Sequence, residues 1–232
     1  MRGTLYGVGV GPGDPRLMTF LAAETIRKCP VIAVPDRGMG RKMSWQIAKG
    51  ILTDLDKKEC LNLSIPMTKD SGVLEKHYEL AAAQLAEKLE EGADIAYLTL
   101  GDPTIYSTYI YLHRAVKKLG YDARIISGVP SFCAVSARLG DSLADRSQQL
   151  HIIPSSYDIE EALGYGGTKI LMKAASRLPQ VKQALKARDM KAVMVENCGM
   201  DDERIYEELD AMPGEAGYYT VVVVKEPDPF EA

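Results

Sequence analysis

The chain has 232 residues, 46% hydrophobic and 26% charged, with a net charge of −4 from 28 Lys+Arg against 32 Asp+Glu. This profile excludes a disordered or collagen-like chain, allows one large domain or two small ones, and argues against general nucleic-acid binding, which needs a basic excess. No apolar run reaches the roughly 18 residues of a membrane span, and the start, MRGTLYGVGVGPGD, lacks the apolar core of a signal peptide, so a cytoplasmic protein with no membrane partner is expected.

Short runs rich in Val, Ile and Leu alternate with longer segments of helical period, the pattern of βαβ units around a mostly parallel sheet. In chain order the predicted strands are Thr4–Val10, Pro30–Val34, Glu59–Ile65, Ala93–Leu100, Ala123–Ser127, Gln149–Ile153, Lys169–Lys173, Ala192–Glu196 and Tyr218–Val224. Leu17–Ile26 has the apolar period of a helix. So does Ser71–Glu91, where Leu74, Tyr78, Ala81, Ala82, Leu85 and Leu89 share one face and Gly92 stands at C′; Thr108–Leu119 ends likewise before Gly120. Nine strands exceed one compact sheet, and loops turn Gly- and Ser-rich beyond Gly128. The chain is therefore read as an α/β protein of two domains: residues 1–127 with a mostly parallel sheet, and 128–232 with a mixed one. The last strand is expected to run antiparallel, because only the short Met212–Gly217 turn region precedes it. Cys29, Cys60, Cys133 and Cys198 are far apart and form no C-x-x-C pair, so they read as reduced structural cysteines.

Three strand-to-helix junctions carry chemistry. The first is GVGVGPGDP, Gly7 to Pro15. Pro12 and Asp14 stand where a dinucleotide fingerprint needs its third glycine, and no Lys-Ser/Thr pair makes a P-loop. Its glycines allow close backbone approach to a ligand, and the helix start that follows offers unpaired N–H groups to anionic or polar atoms. The second is LTLGDPTIYSTYIYL, Leu98 to Leu112, in which an apolar strand ends abruptly in Gly-Asp-Pro, where ligands sit in open α/β sheets. There Asp102 can accept ligand hydrogen bonds or cap the following helix. The third is ISGVPSFCAVSARLG, Ile126 to Gly140, at the expected domain boundary.

Taken jointly, GVGVGPGDPRLMT at Gly7–Thr19, GDPTIYST at Gly101–Thr108 and GVPS at Gly128–Ser131 resemble the tetrapyrrole (corrin/porphyrin) methylases over essentially the whole chain. LYGVGVGPGDP, VIAVP at Val31–Pro35 and LGDPTIYSTYIYL are most similar to the precorrin-2 / cobalt-precorrin-2 C20-methyltransferase subgroup. The resemblance implies two α/β domains with a cofactor cleft between them, a homodimer, and S-adenosyl-L-methionine as methyl donor in cobalamin biosynthesis. The cofactor contacts it implies fall on Pro12, Leu100, Gly101, Asp102, Ile105, Pro130, Ser131, Met172 and Cys198. Relatives often carry a Thr-Ala-like small pair where this chain has Pro130-Ser131, and Gly where it has Cys198.

Methyl transfer from a sulfonium to an electron-rich carbon is an in-line displacement in which positioning and exclusion of water supply most of the acceleration. Neither a Ser-His-Asp set nor a protein-held metal is expected, and His77, His113 and His151 are scattered. No residue is nominated as catalytic base. The implied macrocycle carries eight carboxylates, so cations should line its site. Arg37, Arg41 and Lys42 in PDRGMGRKMS are the first candidates, with Lys69, Lys173 and Arg177 behind them, and Tyr106, Tyr109 and Tyr111 can offer rings or hydroxyls. The alternatives are methylation of another corrin precursor and a non-catalytic tetrapyrrole carrier.

Overall fold

The computed structural model describes residues 1–36, 43–66, 68, 70–154 and 157–225. The chain divides into two compact units, Met1–Pro130 and Ser131–Ala232, with the division between Pro130 and Ser131 rather than between 127 and 128.

In the first unit the elements run β1 (Thr4–Gly9), α1 (Phe20–Lys28), β2 (Val31–Asp36), α2 (Met43–Lys49), β3 (Glu59–Ser64), α3 (Ser71–Glu90), β4 (Ile95–Thr99), α4 (Tyr109–Lys118) and β5 (Asp122–Ile126). The strands form one all-parallel sheet in the order β3-β2-β4-β1-β5. Period-2 alternation divides its side chains between two cores. Val8, Val10, Ile32, Val34, Ala96 and Leu98 meet Ala22 and Ile26 of α1 and Trp45, Ile47 and Ala48 of α2. Leu5, Val31, Ala33, Ile95 and Tyr97 meet Tyr78, Ala81, Leu85 and Leu89 of α3 and Tyr109, Leu112 and Val116 of α4. A sheet apolar on both faces needs helices on both, which is why its central strands read as continuous apolar runs. The predicted face of α3 is the buried one, and Asp70 caps that helix by accepting from the Gly72 and Val73 amides.

The second unit runs α5 (Ser131–Leu139), β6 (Leu150–Pro154), α6 (Ile159–Leu163), β7 (Thr168–Met172), α7 (Leu178–Ala187), β8 (Ala192–Glu196), β9 (Arg204–Tyr206) and β10 (Thr220–Val224). Its sheet has the order β6-β7-β10-β8-β9. β10 lies antiparallel between β7 and β8, as the sequence leads one to expect of the last strand. Its five residues are buried on both faces, so the β-branched run TVVVV suits a central strand. α6 and α7 cover one face through Ala162, Leu163, Leu178, Val181 and Leu185 over Ile153, Leu171, Met194 and Val222, and α5 packs against β10. The sequence reading missed β9, three largely exposed residues with no periodic signal. Among the described residues no helix is long and apolar enough to cross a membrane.

Candidate functional site

The winding of the first unit makes the end of β4 one of its switch points. α1 and α2, which follow β1 and β2, lie on one face, whereas α4, which follows β4, lies on the other. β4 stands between β2 and β1, so its carboxyl end is a switch point toward both neighbours, the position where open α/β sheets hold ligands. Toward β1 the pairing runs to Gly9↔Thr99 and is prolonged by an isolated bridge, Gly11↔Gly101. Toward β2 it stops two residues earlier, at Ala33↔Tyr97, and the crevice opens on that side.

The three glycine-rich junctions meet here. The Gly101 amide donates to the Gly11 carbonyl at 2.8 Å, and Gly11 returns the bond at 3.4 Å. Gly11 holds φ +84°, a left-handed conformation that glycine adopts without the steric cost of a Cβ. At Gly9 the requirement is space: a Cβ would lie 2.5 Å from the Gly101 carbonyl oxygen and 2.7 Å from the Gly128 amide. The turns after β1, β4 and β5 thus pack backbone against backbone.

Asp102 ties the cluster. It is 5% exposed. One carboxylate oxygen accepts from the Thr104 amide at 2.7 Å and the Thr104 hydroxyl. The other accepts from Ser127 Oγ at 2.5 Å and the Gly128 amide at 2.9 Å. Burial by itself pushes the carboxyl pKa up, but the bonds from Ser127, Thr104 and Gly128 outweigh it and hold the pKa below the ordinary aspartate value. Four bonds fill the acceptor sites of a carboxylate. Asp102 does not cap α4, whose N-cap is Thr108; its bonds run to the turns after β4 and β5. Thr19, which caps α1 by accepting from the Ala22 amide, also donates to the Ser127 carbonyl at 3.4 Å. Asp14 caps the 3-10 turn Pro15–Leu17 and forks with Arg16, whose hydrogen bonds hold its pKa down.

Around this knot Pro12 and Gly101 are buried, and Leu100, Ile105 and Pro130 are half-buried. Tyr109 is in the core, its hydroxyl donating to the Arg124 carbonyl at 2.7 Å, and Tyr111 stacks on Tyr78 at 5.0 Å. The expectation that the Tyr109 ring is available to a macrocycle is corrected, because α4 turns it onto the sheet; Tyr111, 51% exposed, lays one face on α3. Tyr106 is 46% exposed, in the turn itself. Sequence reasoning missed Thr19 and Ser127, whose roles depend on partners across the sheet. His77, His113 and His151 each hydrogen-bond within the protein, to the Ser64 carbonyl, the Tyr109 hydroxyl and the Gly166 carbonyl.

In the second unit β7 and β8 flank β10, with Met172 and Val195 both in register with Val221. The carboxyl ends carrying Met172 and Cys198 therefore come out at the same edge of the sheet. Both strands leave it through a non-glycine residue at positive φ, Lys173 at +58° and Asn197 at +54°. Cys198 is buried, and its thiol pKa is pushed up to about 11 by burial and by the neighbouring Glu203 charge. Glu203 accepts from the Gly199 amide at 2.8 Å and from Arg138, which pins the loop after β8. Ser131 is half-buried at the start of α5. Arg37, Arg41, Lys42 and Lys69 lie outside the described residues; Asp36, which ends β2, leads directly into 37–42. None of the four cysteines is in a disulfide, and no group of three or more His, Cys, Asp or Glu among the described residues is arranged to hold a metal ion.

A doubly wound parallel sheet with three bonded glycine turns at a switch point defines the class as an α/β protein of the kind that holds ligands at its strand ends. The particular family is the tetrapyrrole (corrin/porphyrin) methylases, whose profile matches residues 4–212, and the chain belongs to it. It is 35% identical over 203 residues to a probable cobalt-precorrin-2 C(20)-methyltransferase of Methanocaldococcus jannaschii, covering 87% of this chain and 85% of that one. It is 28% identical to a precorrin-2 C(20)-methyltransferase of a Sinorhizobium species, over 96% and 95% of the two chains. The fold is shared with a uroporphyrin-III C-methyltransferase of Thermus thermophilus solved with S-adenosyl homocysteine, at a TM-score of 0.69 and 17% identity over 97% and 98% of the chains.

Proposed function

We propose that this chain transfers the methyl group of S-adenosyl-L-methionine to the C20 meso carbon of precorrin-2 or cobalt-precorrin-2 in cobalamin biosynthesis, as a cytoplasmic homodimer. The observation that carries the reading is the knot of three turns at the end of β4, tied by Asp102. The chemistry of that end fits the cofactor. It presents glycine backbone, the hydroxyls of Thr104 and Ser107, and the apolar Leu100 and Ile105, a set suited to an adenosine and an amino acid and lacking the Lys-Ser/Thr pair that phosphates require. The cofactor contacts are assigned to Pro12, Leu100, Gly101, Asp102, Ile105 and Pro130 in the first unit and to Ser131, Met172 and Cys198 in the second, with Asp102 acting by holding the turns.

When bound, S-adenosylmethionine supplies an electrophilic methyl on a sulfonium. The chain's contribution is positional: Gly11 and Gly101 keep the β4 end open to a ligand, Asp102 fixes its turn against Ser127 and Gly128, and Leu100 and Ile105 exclude water. Such preorganisation places the reacting atoms without solvent rearrangement. Arg37, Arg41 and Lys42 are assigned to the substrate carboxylates, since they follow directly on β2, the neighbour on the open side of β4.

The test is anaerobic incubation of the pure protein with methyl-labelled S-adenosylmethionine and, separately, precorrin-2 and cobalt-precorrin-2. Label at C20 is expected, and the two rates say which macrocycle is preferred. Label at another carbon would move the protein to a different corrin step. Macrocycle binding without label would make it a carrier. For the double variant Arg37→Ala, Arg41→Ala the expected result is a raised KM for the macrocycle with cofactor binding intact.

A further inference from the structure

The turn between β4 and α4 is held at both feet. At its start the Asp102 carboxylate accepts from the Thr104 amide at 2.7 Å, Ser127 Oγ at 2.5 Å and the Gly128 amide at 2.9 Å, and the Asp102 carbonyl accepts from the Ile105 amide at 3.3 Å. At its end Ser107 Oγ accepts from the Tyr109 amide at 3.2 Å and shares a hydrogen bond of 2.9 Å with the hydroxyl of Thr99, the residue that closes β4. Thr108 Oγ1 lies 3.3 Å from the Tyr97 hydroxyl, so it too is fastened to the strand. Tyr106 stands between these two feet. Its neighbours Ile105 and Ser107 are half-buried, whereas Tyr106 is 46% exposed. Burial raises the pKa of its hydroxyl, so the hydroxyl end is partly enclosed while much of the side chain remains at the surface. Of the three tyrosines in LGDPTIYSTYIYL, Tyr109 is in the core and Tyr111 gives one face to Tyr78. Both are carried by α4. Tyr106 precedes that helix and belongs to the turn at the switch point, where open α/β sheets hold ligands. A ring on a turn fixed at both ends loses little freedom when a ligand settles on it, which is the property of a rigid aromatic anchor.

We propose that the Tyr106 ring is a substrate-binding surface on which one face of the macrocycle stacks. The inference rests on the proposed reading that the substrate is a tetrapyrrole, and it adds an apolar contact to the carboxylate contacts assigned to Arg37, Arg41 and Lys42. A tetrapyrrole is a broad ring system rimmed by carboxylates. Cations at the rim fix its outline but leave it able to tilt, whereas an aromatic ring against one pyrrole fixes its plane in an offset-stacked geometry. The plane matters to the reaction, because the π electrons of a meso carbon project from it and an in-line displacement needs them aimed at the methyl.

The experiment measures equilibrium binding of uroporphyrin, a stable octacarboxylate macrocycle, by its absorbance, for the full chain and for Y106A, Y106L and Y106F. All three variants keep a Cβ, so none changes the backbone cost of the positive φ at this position. Cofactor affinity is followed by calorimetry on the same proteins. Y106A should raise the porphyrin Kd about tenfold, the scale of one lost aromatic stack. Y106L should recover only part of that loss, and Y106F should stay within about twofold of the unmodified chain, because the ring makes the contact. Cofactor affinity should hold within about twofold and the thermal midpoint within about 2 °C, as for an exposed side chain. In protein labelled in its tyrosine rings, the Tyr106 signals, identified by their absence from Y106F, should move upfield on porphyrin binding, since the ring current of a macrocycle shields nuclei over its face. An unchanged porphyrin Kd in Y106A, a Kd in Y106F raised as far as in Y106A, a parallel loss of cofactor affinity, Tyr106 signals that do not move upfield, or no porphyrin binding by the unmodified chain would each overturn the assignment. Failure of the proposed reaction shows up separately: porphyrin binding that Y106A weakens, with no methyl transfer by the unmodified chain, keeps the stacking contact and removes the methyltransferase.

Discussion

Replacing Asp102 by Asn keeps the shape of the side chain and removes the charge, so it tests whether one carboxylate holds the three turns together. An amide has one acceptor oxygen, and its NH2 must face one of two pairs of donors, Ser127 Oγ with the Gly128 amide or the Thr104 hydroxyl with its amide. A hydroxyl can rotate to accept, but a backbone N–H cannot. One backbone N–H is therefore left against a donor, at about 1–3 kcal/mol, and the surviving bonds fall from charge-assisted to neutral strength. The sum is about 3 kcal/mol, a drop in Tm of roughly 6–12 °C for a chain of this size. The chain's single tryptophan, Trp45, is buried in the first unit, so urea unfolding followed by its fluorescence reports that unit. pH supplies a second check. The folded pKa of Asp102 lies below its ordinary value of 3.8, so its contribution is present in full above that value and is lost as pH falls through the folded pKa. The gap between Asp102 and the Asn variant should hold at neutral pH and narrow below about 3.8. A gap under about 0.5 kcal/mol at pH 7, or one that persists unchanged at pH 3, would refute the geometry.

Gly9→Ala should destabilise the first unit by roughly 3 kcal/mol or more and abolish cofactor binding, because its Cβ would meet backbone that cannot move aside; urea unfolding and calorimetry check this. Tyr109→Phe removes the bond to the Arg124 carbonyl and should cost about 1–2 kcal/mol with kcat unchanged, since the hydroxyl is buried in the core; a loss of turnover larger than the loss of stability would place it in the reaction. Alkylation followed by mass spectrometry at pH 8 should modify exposed Cys133 first and leave Cys29 and Cys198, whose thiols burial pushes up to about 12 and about 11.

Periodicity and turn chemistry, read from the residues alone, determine nine of the ten strands among the described residues, the buried face of α3, and the positions of the glycine-rich turns. Those properties depend on neighbours a few residues away, so they leave a local pattern. The family, too, is legible in three short motifs, because the turns that shape a ligand site constrain consecutive residues. What the tertiary structure decides is which of those residues act on one another. Asp102 lies 25 residues from Ser127 and 26 from Gly128, and no periodicity links them. Only the strand order β3-β2-β4-β1-β5 puts a switch point at the end of β4 and brings Gly9, Gly101 and Gly128 into contact. The same order makes Asp102 a tie between the turns after β4 and β5, and it buries Tyr109 while leaving Tyr106 outside. A hydrogen bond closed across a sheet is set by packing in three dimensions, and a linear sequence carries no mark of it.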